Sequence, residues 1–137
     1  MIRVVLDTNI IVSALLQPLG PPAQVFLLAL GDTVQLCVSG GIFAEYEEVL
    51  RRPRLRRTEE TVLSALETIR KKAFWVKPSD PVRACSDPDD DVFVECAQAS
   101  GASYLVTGNV RDFPPRWLGT EVVTPRHFLE IVAASAQ

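Results

Sequence analysis

Short apolar runs alternate with helix-like stretches along this chain, and that alternation leaves few ways to fold. Residues 2–6, Ile-Arg-Val-Val-Leu, are rich in branched side chains, as a strand covered on both faces should be. Residues 34–38, 73–76, 104–107 and 122–123 supply further strand candidates. Helices are expected at about 9–16, 22–30, 41–52, 58–72 and 88–100, with a last one beginning at Thr124-Pro125. Thr8 or Asn9, Ser39 and Asp87 can cap three of them, Pro53 closes the third, and Gly101 stops the fifth. Residues 77–88 and 108–115 read as loops. Strands separated by helices predict a parallel sheet with helices on both faces. In such sheets ligands sit beyond the carboxyl ends of the strands.

Size and composition narrow the classes further. A chain of 137 residues fits a single domain, taken as 1–137, with a core of its own. Apolar residues make up 47% and charged residues 23%, ordinary for a soluble globular protein. No apolar run is long enough to span a membrane, and the first strand is too short and too charged to be a signal peptide. The three cysteines, Cys37, Cys85 and Cys96, form no C-x-x-C pair and read as reduced residues of a cytoplasmic protein. With His127 the one histidine, a histidine zinc site or a Ser-His-Asp triad has little material. A net charge of −3 argues against indiscriminate coating of DNA.

Three acids stand where a surface charge is hard to explain. Asp7 ends the first apolar run, and Thr107-Gly108-Asn109 ends a later one. In the third helix Ile42, Phe43, Tyr46, Val49 and Leu50 form one apolar stripe, with Glu48 opposite it and Glu45 and Glu47 on its two flanks. Helical phase does not choose between those two. In the run Asp87 to Asp91, Asp90 lies three, four and seven residues before Phe93, Val94 and Ala97 and shares their face. Asp89 and Asp91 are turned about 100° to either side. A first-turn position favours the ionised form of Asp90 through the helix dipole. Carboxylates gathered at one rim repel unless a cation compensates, and an all-oxygen donor set suits a hard ion such as Mg²⁺ or Mn²⁺.

Taken singly, each of these residues has an ordinary role. Asp7 can be a helix cap, Glu45 a solvated flank, Asp90 part of a capping segment, Asn109 a turn residue and Asp112 a surface charge. His127 belongs to the start of the last helix, Trp75 and Trp117 to packing. The cluster Arg51, Arg52, Arg54, Arg56 and Arg57 reads as a solvated basic face, with an RNA or partner surface as the alternative.

Their order changes the balance. Val-Val-Leu-Asp7-Thr8-Asn9 resembles the opening of PIN-domain nucleases, and so does Ser39-Gly-Gly-Ile-Phe-Ala-Glu45 followed by Val-Leu-Arg-Arg-Pro. Asp90-Asp-Val-Phe-Val-Glu-Cys-Ala97, Leu-Val-Thr107-Gly-Asn109-Val-Arg-Asp112-Phe-Pro and Val-Thr-Pro-Arg-His-Phe-Leu continue the likeness over nearly the whole chain. The resemblance selects Glu45 over Glu47. It implies an α/β/α sandwich around a five-stranded parallel sheet and a Mg²⁺- or Mn²⁺-dependent ribonuclease. It also implies a toxin of a type II toxin–antitoxin pair, which acts on RNA, dimerises or assembles further, and is silenced by an antitoxin protein. Asp7, Glu45 and Asp90 would hold the metal. The family's fourth position, often Asp, falls on Asn109, so Asp112 is the alternative ligand. Thr8, Asn9 and Thr107 would orient these groups from behind.

The expected chemistry is hydrolysis by metal-activated water. Two rivals stand beside it. An aspartyl-phosphate phosphatase would use Asp7 as nucleophile, but such enzymes carry a second Asp where Asn9 stands. A binding module that has lost its metal is the other, prompted by the neutral Asn109.

Overall fold

A computed structural model describes residues 1–53 and 58–135; Arg54, Arg56 and Arg57 of the basic cluster lie outside the described residues. Six strands form one sheet: β1 (Ile2–Leu6), β2 (Val34–Ser39), β3 (Phe74–Val76), β4 (Tyr104–Val106), β5 (Arg116–Trp117) and β6 (Thr120–Val123), in the order β3-β2-β1-β4-β6-β5. β1, β2, β3, β4 and β6 run parallel, as the alternating pattern demands. The helices α1 (Thr8–Leu16), α2 (Pro21–Ala29), α3 (Gly40–Leu50), α4 (Glu59–Lys72), α5 (Asp91–Ser100) and α6 (Pro125–Ser135) flank it.

The sixth strand corrects the expected five. β5 pairs antiparallel with β6 through only two residue pairs, Arg116 with Glu121 and Trp117 with Thr120. The turn between them is Leu118-Gly119, and Leu118 takes the left-handed conformation at φ 51°. A two-residue turn of this kind favours Gly at its first position. Here a leucine stands first and the glycine second, so the hairpin leaves no ordinary turn signal.

Leu6, Ile10, Tyr46, Phe93 and Phe128 are among the fully buried side chains of the core. Each burial of that kind contributes roughly 1.5–3 kcal/mol. Cys37 and Cys96 are buried and none of the three cysteines is in a disulfide. Trp117 is tied inward by a 2.8 Å bond from its indole N–H to Gln98. Trp75 packs on Phe43 but stays 42% exposed. Arg51 and Arg52 pair with Glu47 and Glu48 on an exposed face of α3. No single helix among the described residues is long and apolar enough to cross a membrane.

Two contacts align α5 with β1. The Arg3 guanidinium donates to the Ser100 carbonyl at the helix C-terminus, 2.9 Å away. Its backbone carbonyl accepts from Ser103 N–H at 3.0 Å. α5 therefore ends beside the start of β1 and runs back antiparallel to it. Its first residues then lie beside the end of β1, where Asp7 follows.

Candidate functional site

Leu6 and Val106 are paired in the register of β1 and β4, so Asp7 and Thr107 leave the sheet side by side. The Thr107 hydroxyl donates to Asp7 Oδ2 at 2.7 Å and accepts from Asn109 N–H at 3.0 Å. Asp7 is 8% exposed and Thr107 fully buried. Asp7 occupies the N-cap position of α1 without a side-chain capping bond. Thr8 and Asn9, expected as caps, are engaged elsewhere. Asn9 Oδ1 faces Gly108 N–H at 3.5 Å, and the Thr8 hydroxyl donates to Glu45 Oε2.

That last bond separates the two glutamates that helical phase left equal. Glu45 turns towards the end of β1, whereas Glu47 lies 3.6 Å from Arg51 on the outer face. The next residue, Tyr46, donates its hydroxyl to the Leu6 carbonyl and so ties α3 to the same strand end. Gly41 brings α3 in close: a Cβ there would stand 3.0 Å from Val92 Cγ2 of α5.

Asp90 reaches the rim by a route different from the one expected. Asp87 caps with a 3.0 Å bond from Asp89 N–H, but what it caps is a single 3₁₀ turn, Pro88–Asp90, and the α-helix begins at Asp91. Angular arithmetic for an α-helix does not hold across that junction. Asp90 is half-buried, while Asp91, expected to turn aside, is the more buried at 8% exposure. Asp91 Oδ1 accepts from Ala84 N–H at 3.0 Å and Cys85 N–H at 2.9 Å. Together with Glu95, which accepts from Val82 N–H at 2.9 Å, it fastens the preceding loop to α5.

The acids act on one another. Burial raises the pKa of Asp90 to about 6, helped by the charges of Asp7, Asp87, Asp112 and Glu45. The dipole was expected to favour ionisation here; desolvation and four like charges outweigh it. Burial also raises Asp7, against the opposing hydrogen bonds from Thr107 and the Thr8 N–H, with Glu45 and Asp112 adding to the rise. Asp112 is exposed, yet its charge is felt at both buried acids. Asn109 is exposed too, and its side chain makes no hydrogen bond among the described residues. Sequence reasoning missed the anchors Asp91, Glu95 and Tyr46 and the charge of Asp87. Their partners are backbone groups and acids brought close only by the fold.

The ring is loose. Among the described residues no three His, Cys, Asp or Glu side chains stand near enough together to hold an ion as they lie. The donor chemistry nevertheless fits a hard cation: carboxylates just past β1, on α3, in the 3₁₀ turn before α5 and in the 3₁₀ turn after β4, whose charges raise the cost of ionising Asp7 and Asp90. A divalent ion offsets such repulsion directly. Cysteine chemistry fits poorly, since burial, the Asp91 hydrogen bond and neighbouring acid charges push the Cys85 thiol up to about 12.

A family model described as the PIN domain matches residues 3–111. The chain belongs to the PIN domain family. The matched span contains Asp7, Glu45, Asp90 and Asn109 and stops one residue before Asp112. This PIN domain is similar to the uncharacterized protein MJ1680 of Methanocaldococcus jannaschii, 28% identical over 141 residues, covering 94% of this chain and 90% of that protein. It shares its fold with VapBC-1 from nontypeable Haemophilus influenzae, at 18% identity and a TM-score of 0.61, covering 91% of this chain and 99% of that one. It shares it also with VapBC2 from Rickettsia felis bound to a DNA fragment from the promoter, at 15% identity and a TM-score of 0.58, covering 90% and 98% of the respective chains.

Proposed function

We propose that this PIN domain protein is an endoribonuclease dependent on Mg²⁺ or Mn²⁺ and the toxin of a toxin–antitoxin pair. The observation that carries the proposal is the placing of acids from separate elements around the end of β1: Asp7 held by Thr107, Glu45 bonded by Thr8, and Asp90 and Asp112 near enough for charge to be felt at Asp7 or Asp90. Family membership and a fold shared with VapBC toxin–antitoxin complexes support it.

In this proposal Asp7, Glu45 and Asp90 hold the ion, and Asp112 rather than Asn109 supplies the fourth carboxylate. A divalent ion held there would supply Lewis acidity towards the scissile phosphate and make a water easier to deprotonate. Thr107 keeps the Asp7 carboxylate turned to the rim, and Thr8 does the same for Glu45. No side-chain nucleophile is needed. A phosphatase using Asp7 as nucleophile loses support, because Asp7 is 8% exposed and already bound by Thr107. RNA as substrate, an antitoxin chain as partner, self-association and a cytoplasmic location belong to the same proposal.

Purified protein is expected to cut single-stranded RNA with Mn²⁺ and to stop in EDTA. Asp7→Asn and Asp90→Asn are each expected to abolish cutting while circular dichroism stays native. Undiminished cutting by both variants overturns the assignment. One observation favours a second reading, a binding module without metal: the neutral Asn109 stands where an acid is common in the family. Calorimetric titration separates the two, since a module without metal gives no heat with Mn²⁺.

A further inference from the structure

Next to the acid rim lies a cleft of about 600 Å³ that none of the acids lines. Val110, Phe113, Pro115 and Val122 make it largely apolar, and Arg111 and His127 add polar heads to it. It opens where β4 and β6 end, since Val106 and Val123 are paired in register and the cleft is built from the segments that follow or approach them. The single 3₁₀ turn Val110–Asp112 belongs to both places: Val110 and Arg111 line the cleft, and the Asp112 charge acts on Asp7 and Asp90.

We infer that this cleft is a nucleotide subsite for single-stranded RNA, taking one base on its apolar floor and the adjoining phosphate on Arg111 and His127. The inference rests on the ribonuclease reading above and names how its substrate is held. A chain of net charge −3 with an acidic rim repels a polyanion, so cations beside the rim are needed to seat one. A guanidinium is suited to this: its donor fork matches two phosphate oxygens and its charge is permanent. A histidine ring donates a hydrogen bond in either tautomer. Among the described residues neither Arg111 nor His127 is held in an ion pair. The volume suits a small ligand. Bases in a duplex are stacked and cannot enter such a cleft, whereas an unpaired base can be splayed into it.

The test uses a single-stranded RNA decamer carrying 4-thiouridine, crosslinked by light to the full chain bearing Asp90→Asn, in Mg²⁺, and mapped by mass spectrometry. Crosslinks are expected within residues 110–115 and 122–127. In parallel, Arg111→Ala in the otherwise intact chain is expected to raise KM for the decamer about tenfold, as loss of a charged hydrogen bond would, with kcat and the Mn²⁺-induced rise in Tm retained. If wild type cuts the decamer but crosslinks fall elsewhere, or Arg111→Ala leaves KM unchanged, the subsite is overturned and the ribonuclease reading survives. If wild type with Mn²⁺ neither cuts nor crosslinks RNA, that reading fails and takes the subsite with it. Occupation of the cleft by a partner protein while RNA crosslinks elsewhere also overturns it.

Discussion

Asp90→Asn should make the metal-free protein more stable. The native side chain sits half-buried facing Asp7, Asp87, Asp112 and Glu45, with a pKa raised from 3.8 to about 6. It makes no side-chain capping bond, so the amide sacrifices none. At 1.36 kcal/mol per unit the shift sets a ceiling near 3 kcal/mol. Because much of the carboxylate is in contact with water, screening reduces this to about 1 kcal/mol. The folded chain binds the proton more tightly than the unfolded chain, so stability falls as pH rises from 3.8 towards 6. In EDTA at pH 7.5 the variant should therefore melt about 3 °C above wild type by differential scanning fluorimetry. At pH 5, where folded wild type already carries most of that proton, the gain should shrink to about half. Adding Mn²⁺ at pH 7.5 should reverse the order, because the ion offsets the repulsion only where the charge exists. A variant that folds yet melts at or below wild type in EDTA at pH 7.5 refutes the idea that like charges load this rim.

Thr107→Val keeps the shape and removes the hydroxyl that holds Asp7; it should cost roughly 1–3 kcal/mol and weaken Mn²⁺ binding by about 10- to 100-fold in calorimetry. Unaltered affinity would mean Thr107 does not orient Asp7. Asp91→Ala should lower stability by about 2 kcal/mol by melting, with faster amide exchange at Ala84 and Cys85, the two N–H groups it releases. Burial opposes ionisation of Asp91, but these N–H groups outweigh it and lower the pKa, so the wild-type advantage is full above pH 3.8 and fades as pH falls further. Asp112→Asn should slow RNA cutting about tenfold or more, while Asn109→Ala changes it by about twofold at most; the opposite ranking in a cleavage assay gives the fourth position to Asn109.

The parallel sheet and the place of Asp7 were legible because a buried parallel strand has a one-dimensional signature: a short branched run with a polar stop. Glu45 was not legible from phase alone. Two flanks of a helix are equivalent until something across the gap, here the Thr8 hydroxyl, donates to one of them. Asp90 was selected by treating the segment as one α-helix, although a 3₁₀ turn intervenes. The phase argument for Asp90 does not carry across that turn, and the expected ionisation does not hold either, since a helix dipole is weak beside burial and four acids. β5 escaped notice because two residue pairs and a turn led by leucine carry no periodicity. The bonds from Asp91 and Glu95 to the loop before α5 are invisible in sequence, because backbone N–H groups are the same at every residue.

Arg3 stands near the start of β1, at the end of the strand away from the acids, its guanidinium 4.3 Å from the centre of the Phe74 ring and bonded to Ser100. It thus latches the tail of α5, whose other end delivers Asp90. Ten helical residues form a rod about 15 Å long that transmits axial slippage almost undiminished. The residue that enters α5 as its N-cap, Asp90, is accordingly tied through the helix to a cation seated on an aromatic ring at the other end.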